Sequence, residues 1–220
     1  VKDITNEEKG CAKINLALHV TGIQADGYHA LDSIVVFTDV FDRLFFKRSL
    51  KNVVTLTGEF SGSINVQENS ILQALKLFGN GLTDRFTINL EKNLPIGAGL
   101  GGGSADAAAV IRFITNNSKH LMPSFEVLSK IGADIPACVL SAASRVGGIG
   151  EIVRPLDMSE INLWVVLVNP DIFVSTGSIF EEVTEKHNQP LESFLDLSSK
   201  DKFLDYLKRQ GNELQTIALK

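Results

Sequence analysis

Cysteine is scarce in this sequence. Cys11 and Cys138 are the two among 220 residues, and neither falls in a C-x-x-C or zinc-type spacing. A disulfide-stapled secreted scaffold is a poor reading, and the pair reads as reduced thiols in a cytoplasmic protein. Basic runs are lacking too. Lysine and arginine total 21 against 26 aspartate and glutamate, a formal charge of −5. That balance argues against a nucleic-acid or anionic-membrane surface. The longest apolar run, Leu163 to Val168, is far short of the roughly 20 residues that span a bilayer. The opening VKDITNEEKG is charged and has no apolar core, so no secretory signal is expected there. An anionic small molecule remains a compatible ligand, because a backbone loop binds one without net positive charge.

What the sequence has in quantity is apolar residues, 44%, enough for one large domain or two small ones. It also concentrates glycine. In PIGAGLGGGSADAAAVI, from Pro95 to Ile111, five glycines fall between Gly97 and Gly103. Each costs roughly 0.5–1 kcal/mol relative to alanine in regular structure. The preceding RFTINLEKN alternates Phe86, Ile88 and Leu90 against polar neighbours, the period of a strand. After the loop, Ala107, Val110, Ile111 and Ile114 recur at helical spacing. Strand, glycine loop and helix N-terminus together make an anion site: free N–H groups point outward and the helix dipole adds about half a positive charge. A Walker A loop needs a lysine after its last glycine, and Ser104 follows Gly103 here. A dinucleotide fingerprint fits Gly97, Gly99 and Gly102, yet no acidic residue lies between Asp106 and Glu126 to bind the ribose.

Elsewhere, Ala12, Ile14, Leu16, Leu18 and Val20 alternate with Lys13, Asn15, Ala17, His19 and Thr21, so a half-buried strand is expected with Lys13 and Asn15 on one face. Asp26-Gly27 signals a turn. SIVVF, DRLFFKR and VVTLTGEF read as strands, and NSILQALKLF as a helix capped by Asn69. A helix is expected from about Phe125 to Ile131, stopping at Gly132. NLWVVLVNP reads as a buried strand, and STGSIFEEVTEK and SSKDKFLDYLKRQGNEL as helices. The order of elements indicates an α+β fold, with a domain boundary near Arg154-Pro155.

Four ordered blocks raise the specificity of the glycine loop. PIGAGLGGGSADAA resembles the phosphate loop of the GHMP kinases, which act on galactose, homoserine, mevalonate and phosphomevalonate. AKINLALHVTGIQADGYHALDS, GADIPACV, and GIGEIVRPL with VNPDIFVSTGSIF are similar to further blocks of that family. The triple glycine followed by SADAA, together with ADGYH, points to the branch whose acceptor is a cytidine diphosphate sugar alcohol. The resemblance implies a two-domain fold: residues 1–154 as an ATP-binding domain like the second domain of ribosomal protein S5, and 155–220 as a C-terminal domain. The family's last glycine-rich motif, which packs on the phosphate loop, has no counterpart here. The second domain is therefore expected to be incomplete, the loop mobile or distorted, and ATP binding weak. Another GHMP small-molecule kinase, or a nucleotide-binding remnant without activity, are the alternative readings.

The resemblance also implies residue roles. ATP would lie on Pro95, Ile96, Gly97, Ala98, Gly99, Leu100, Gly101, Gly102, Gly103, Ser104 and Ala105. Ser104 can cap the following helix, or offer its hydroxyl to Mg²⁺ or a phosphate oxygen. Asp134 would take the proton of the acceptor hydroxyl, with Lys13 beside it to stabilise developing charge. From the residues alone, Asp134 could equally be a turn or cap residue, and Lys13 a solvated surface lysine. Asn15, Tyr28, His29, Thr176 and Phe180 would hold the acceptor, with Tyr28, His29 and Phe180 around the cytidine. Phe180 could also be an ordinary core residue. His19 shares the face of Lys13 with no role assigned. The implied partners are ATP and a small-molecule acceptor, with no nucleic acid or membrane, in a monomer or homodimer.

Overall fold

The computed structural model describes residues 6–25, 27–63, 70–79, 82, 84–170, 172, 174–184, 186–193 and 197–220. β1 (Asn6–Ile23) and β2 (His29–Ser49) form a long antiparallel hairpin. At its turn Gly27 adopts φ 89° and donates its N–H to the Gln24 carbonyl, while Asp26 lies outside the described residues. The two strands expected from SIVVF and DRLFFKR are one strand. β1 pairs along both, and its register shift between Cys11 and Lys13 falls opposite Thr38 to Val40.

The free edge of β2 is shared. Leu31–Val35 pairs with β5 (Ser144–Gly148), and Arg43–Ser49 pairs with β4 (Arg85–Glu91). β3 (Val53–Thr57) lies parallel beyond β4, and β6 (Ile152–Pro155) antiparallel beyond β5. β3 ends before Gly58, short of the expected VVTLTGEF, because that glycine turns at φ 92° against the Lys92 backbone. α1 (Ser70–Leu77) forms as expected between β3 and β4, and Asn69, its expected cap, lies outside the described residues.

α2 (Gly102–Asn117) carries the core. Ala107, Val110, Ile111 and Ile114 are buried as their spacing predicts, and so are Ala105, Ala108, Ala109 and Phe113. Small side chains let the helix sit tightly among β1, α1 and the short α4 (Ile135–Leu140). Phe113 stacks on Phe46 at 3.8 Å and meets Phe86 edge-on. A Cβ at Gly10 would stand 2.8 Å from Asp106 Oδ1, so β1 approaches α2 this closely only with glycine there. On a second core cluster, Ala17 and Ile34 pack with Ile161, Leu191, Phe203 and Tyr206. The last two come from α6 (Lys200–Gln210), capped by Ser199, whose Oγ accepts the Lys202 N–H. α5 (Thr176–Glu181) and α7 (Gln215–Ala218) complete the helices of that region, and α3 (Phe125–Ser129) precedes α4. The fold is α+β, and no described helix is long and apolar enough to cross a membrane.

Four expectations are corrected. The strict alternation of β1 fails because register shifts fall at Cys11/Lys13, Asn15/Ala17 and Val20/Gly22. The last two shifts each set two steps of β1 against one of β2 and move the following residues to the other face, so Ala17, expected outside, is fully buried, whereas Lys13 keeps the face of Asn15 and is buried against the glycine loop. Ser104 does not cap α2. The helix begins two residues earlier, after Gly101 in the left-handed conformation, with no side-chain cap. α3 ends at Ser129, two residues before the expected Ile131, and Gly132 then donates its N–H to Leu128. NLWVVLVNP forms no strand: Trp164 is 94% exposed, Val166 and Val168 87%. An apolar run becomes a buried strand only when a neighbouring strand takes its N–H and C=O groups, and no such pairing exists for it among the described residues.

Candidate active site

The glycine loop hangs between β4 and α2. Gly97, Gly99 and Gly101 all adopt positive φ, at 69°, 70° and 64°. In that region an L-residue pays roughly 1–2 kcal/mol, which accounts for glycine at alternate positions. Two hydrogen bonds fix the loop from outside it: the Lys13 N–H donates to Leu100 O (2.9 Å) and the Val174 N–H to Gly97 O (3.1 Å). Just beyond, the Ser70 hydroxyl donates to Gly103 O. β1 and the stretch before α5 thus each hold the loop by one hydrogen bond. The first-turn N–H groups of α2 have no intrahelical acceptor, and they open on a cleft of about 860 Å³ that the loop lines from Pro95 to Ser104.

Lys13 enters this cleft from β1 with its side chain 4% exposed. Its ammonium donates to Asn15 Oδ1 (2.6 Å) and lies 3.3 Å from Asp134 Oδ1. Asp134 stands at the N-cap of α4 and caps nothing with its side chain, so its carboxylate is free to face Lys13 with 44% exposure. A Cβ at Gly101 would stand 3.2 Å from Lys13 Cε and 3.5 Å from Asp134 Oδ2, so the loop touches both members of the pair. The burial of Lys13 sets aside the solvated-lysine reading, and Asp134 occupies the turn and N-cap position without capping through its side chain. Ser104 lines the same cleft, near Gly132, and Ala105 is buried behind it.

Thr176, Ile179 and Phe180 on α5 form the opposite wall with Leu18, Leu31 and Leu214. Phe180 stacks on His29 with centroids 5.2 Å apart. Burial, and then the Lys186 charge, hold the His29 imidazole below its ordinary pKa, and its Nε2 is buried without a partner. A neutral imidazole is both donor and acceptor. Tyr28 is 57% exposed, and neither it nor His29 lines the cleft, although His29 reaches its wall through Phe180. Asn15 lines it directly; His19 instead contacts the Gln189 and Gln210 carbonyls at 2.8 Å and does not line it.

Sequence reasoning missed a buried charge cluster beneath the loop. The Lys92 ammonium pairs with Asp42 and, at 2.8 Å, with Asp106, all three nearly inaccessible. Asp42 Oδ1 also accepts the N–H groups of Asn93 and Leu94, which start the loop. Burial alone would lower the Lys92 pKa, but Asp106 and Asp42 together hold it above its ordinary value. Burial, and with it the charge of Asp42, lift Asp106 to about 7 against the pull of Lys92. The signal was present: Lys92 continues the inward period of Phe86, Ile88 and Leu90, and a lysine on a buried face needs a counter-charge.

Residues 69–148 match the GHMP kinases N terminal domain. The 4-diphosphocytidyl-2-C-methyl-D-erythritol kinase of Cereibacter sphaeroides is 39% identical over 94% of this chain and 74% of its own length. The enzyme of the same name from Rhizobium johnstonii is 40% identical over 94% of this chain and 71% of its length. A crystal structure of 4-(cytidine 5'-diphospho)-2C-methyl-D-erythritol kinase superposes with a TM-score of 0.70 at 27% identity, covering 97% of this chain and 77% of that one. The strand, glycine loop and helix with Lys13 and Asp134 at its lip therefore stand in a known lineage: this chain belongs to the GHMP kinase family, in its 4-diphosphocytidyl-2-C-methyl-D-erythritol kinase branch.

Proposed function

We propose that the chain transfers the γ-phosphoryl group of ATP to the 2-hydroxyl of 4-diphosphocytidyl-2-C-methyl-D-erythritol, a step of isoprenoid precursor synthesis. The observation that carries this reading is the Lys13–Asp134 pair, 3.3 Å apart and in contact range of Gly101 of the phosphate loop. Phosphoryl transfer is mostly positioning and charge stabilisation. The N–H groups of the loop and of the first turn of α2 hold the phosphates. Asp134 accepts the hydroxyl proton as the oxygen attacks the γ-phosphorus and the bond to the bridging oxygen breaks, releasing ADP. Lys13 orients that hydroxyl and stabilises the negative charge that develops on it.

The acceptor lies towards α5. Asn15 and Thr176 face its sugar alcohol, and the cytosine stacks against Phe180 with His29 and Tyr28 supplying hydrogen bonds. His29 suits that role because its surroundings disfavour the charged imidazolium and its Nε2 lacks a partner in the protein. Residues 1–154 form the ATP-binding domain on this reading, and 155–220 the C-terminal domain that brings Thr176 and Phe180 to the cleft.

The donor set fits Mg²⁺ delivered with ATP. Ser104 and Asp134 offer hard oxygens to the cleft, and among the described residues no group of three acidic, histidine or cysteine side chains could hold a metal by itself. Mg²⁺ usually keeps waters and substrate phosphates as its other ligands. When bound there it would neutralise phosphate charge.

The test is phosphoryl transfer followed by ³¹P NMR with the cytidylated acceptor and with 2-C-methyl-D-erythritol 4-phosphate. Turnover of the cytidylated acceptor, at least about 100-fold faster in kcat/KM, is expected from the contribution of base stacking and hydrogen bonding. Equal turnover of both, or of neither, would reject the assignment.

A further inference from the structure

The hydrogen bonds around Lys13 continue past Asn15 to a residue with no role so far. Ser33 on β2 is 2% exposed and stands behind Asn15. Three hydrogen bonds run in line. Lys13 Nζ donates to Asn15 Oδ1 at 2.6 Å, Asn15 Nδ2 donates to Ser33 Oγ at 2.8 Å, and Ser33 Oγ donates to the Ala17 carbonyl at 2.7 Å.

The proton inventory permits one arrangement. A carbonyl oxygen only accepts, and a hydroxyl carries a single proton. The proton of Ser33 is therefore committed to Ala17, and towards Asn15 the hydroxyl can only accept. The NH₂ group of Asn15 must face it, which turns Oδ1 towards Lys13. From the other end, an ammonium only donates, and it requires the same orientation. A reversed amide would set two N–H protons against a cation and an oxygen against a hydroxyl with no proton left to give. The backbone supplies the geometry: the register shift of β1 falls between Asn15 and Ala17, next to where Leu18 pairs with Ser33. Bulges of this kind re-aim side chains beside active sites.

We propose that Ser33 is a positioning residue, which locks the carboxamide of Asn15 in one orientation and through it aims the Lys13 ammonium at Asp134 and the cleft. The proposal rests on the reading of Lys13 as part of the phosphoryl-transfer machinery. A lysine stem has four rotatable bonds, and a fixed acceptor on one side limits where its head can go. Without the hydroxyl the ammonium still selects Oδ1, but the carboxamide loses its second anchor, and the Lys13 head wanders with it.

The experiment is a double-mutant cycle on turnover with ATP and the cytidylated acceptor, using Ser33→Ala, Asn15→Ala and the pair. Ser33→Ala should lower kcat roughly tenfold, the upper end for a neutral hydrogen bond, with KM for ATP within about twofold. In the Asn15→Ala background the same change should alter kcat by less than about twofold. Ser33→Thr, which keeps the hydroxyl, should restore most of the rate. If Ser33→Ala folds poorly, Ser33→Cys reads the same coupling with a far weaker acceptor. An undiminished effect in the Asn15→Ala background, or no effect of Ser33→Ala on kcat, overturns the proposal. Exchange of the Asn15 side-chain amide protons, followed by ¹⁵N NMR without substrate, separates it from the kinase reading. Exchange should be at least about tenfold faster in Ser33→Ala, and equal exchange refutes the lock even if wild-type turnover is absent, which would reject the kinase reading instead.

Discussion

Replacing Gly101 and Gly99 by alanine, one at a time, separates what the loop does for ATP from what it does for Lys13. Both residues sit in the left-handed region, at φ 64° and 70°, so both alanines carry the same backbone penalty, about 1–2 kcal/mol. That strain falls on the conformation that receives the phosphates, and it should weaken ATP binding by about 5- to 30-fold in either variant. The added methyl groups differ in what they meet. At Gly99 nothing lies within 4 Å. At Gly101 the methyl stands 3.2 Å from Lys13 Cε, 3.3 Å from Lys13 Cβ and 3.5 Å from Asp134 Oδ2. Lys13 must give by a few tenths of an ångström, and it is held by Asn15 and Asp134. Misplacement by 1 Å can cost about 10²-fold, so a few tenths should cost roughly 3- to 10-fold in kcat. Steady-state kinetics with both substrates varied gives the two parameters. Gly99→Ala should change KM for ATP alone, and Gly101→Ala both KM and kcat. Equal kcat in the two variants would refute the claim that the loop braces the catalytic lysine.

Lys13→Ala should lower kcat more than it raises either KM, because the charge it meets is largest in the transition state; a change confined to KM would assign it to binding alone. Asp106 is held near 7, above the ordinary carboxylate range, so the folded state binds a proton that the unfolded state releases. The sign follows: this proton uptake stabilises the fold at low pH, and up to about 4 kcal/mol is lost as pH rises from about 4 to about 7. Asp106→Asn should flatten that slope in urea denaturation at pH 5 and 7.5, and parallel slopes in both proteins would contradict it. His29→Ala and Phe180→Ala should weaken the cytidylated acceptor by roughly 5- to 150-fold and leave ATP affinity alone, measured by calorimetry. Equal weakening of both ligands would indicate a folding defect.

The parts legible in the sequence are those whose pattern is local. The period of Phe86, Ile88 and Leu90, the five glycines and the helical spacing after them put β4, the loop and α2 where they lie. Lys13 and Asp134 were reached by family resemblance, since no local rule joins residues so far apart in the chain, and the structure does bring them together. What was not legible depends on neighbours. The register shifts of β1 arise from its fit to β2, so alternation misplaced Ala17, and Lys13 is buried only because the glycine loop folds over it. Asp42 and Asp106 meet Lys92 only once β2, β4 and α2 are assembled. Residues 162–168 are apolar enough for a strand, but pairing decides, and composition does not report a partner. Ser104 has the chemistry of a cap, yet the helix starts before it because Gly101 turns the chain first.

The most direct measurement is the turnover number of Asp134→Asn beside the wild type, with ATP and the cytidylated acceptor both saturating. The substitution keeps the size of the side chain and removes its capacity to take a proton. The account predicts a fall in kcat of at least about 10²-fold with little change in either KM, the low end of a general-base contribution. A near-normal kcat would show that the proton leaves by another route and that the Lys13–Asp134 pair is not the centre of this chemistry.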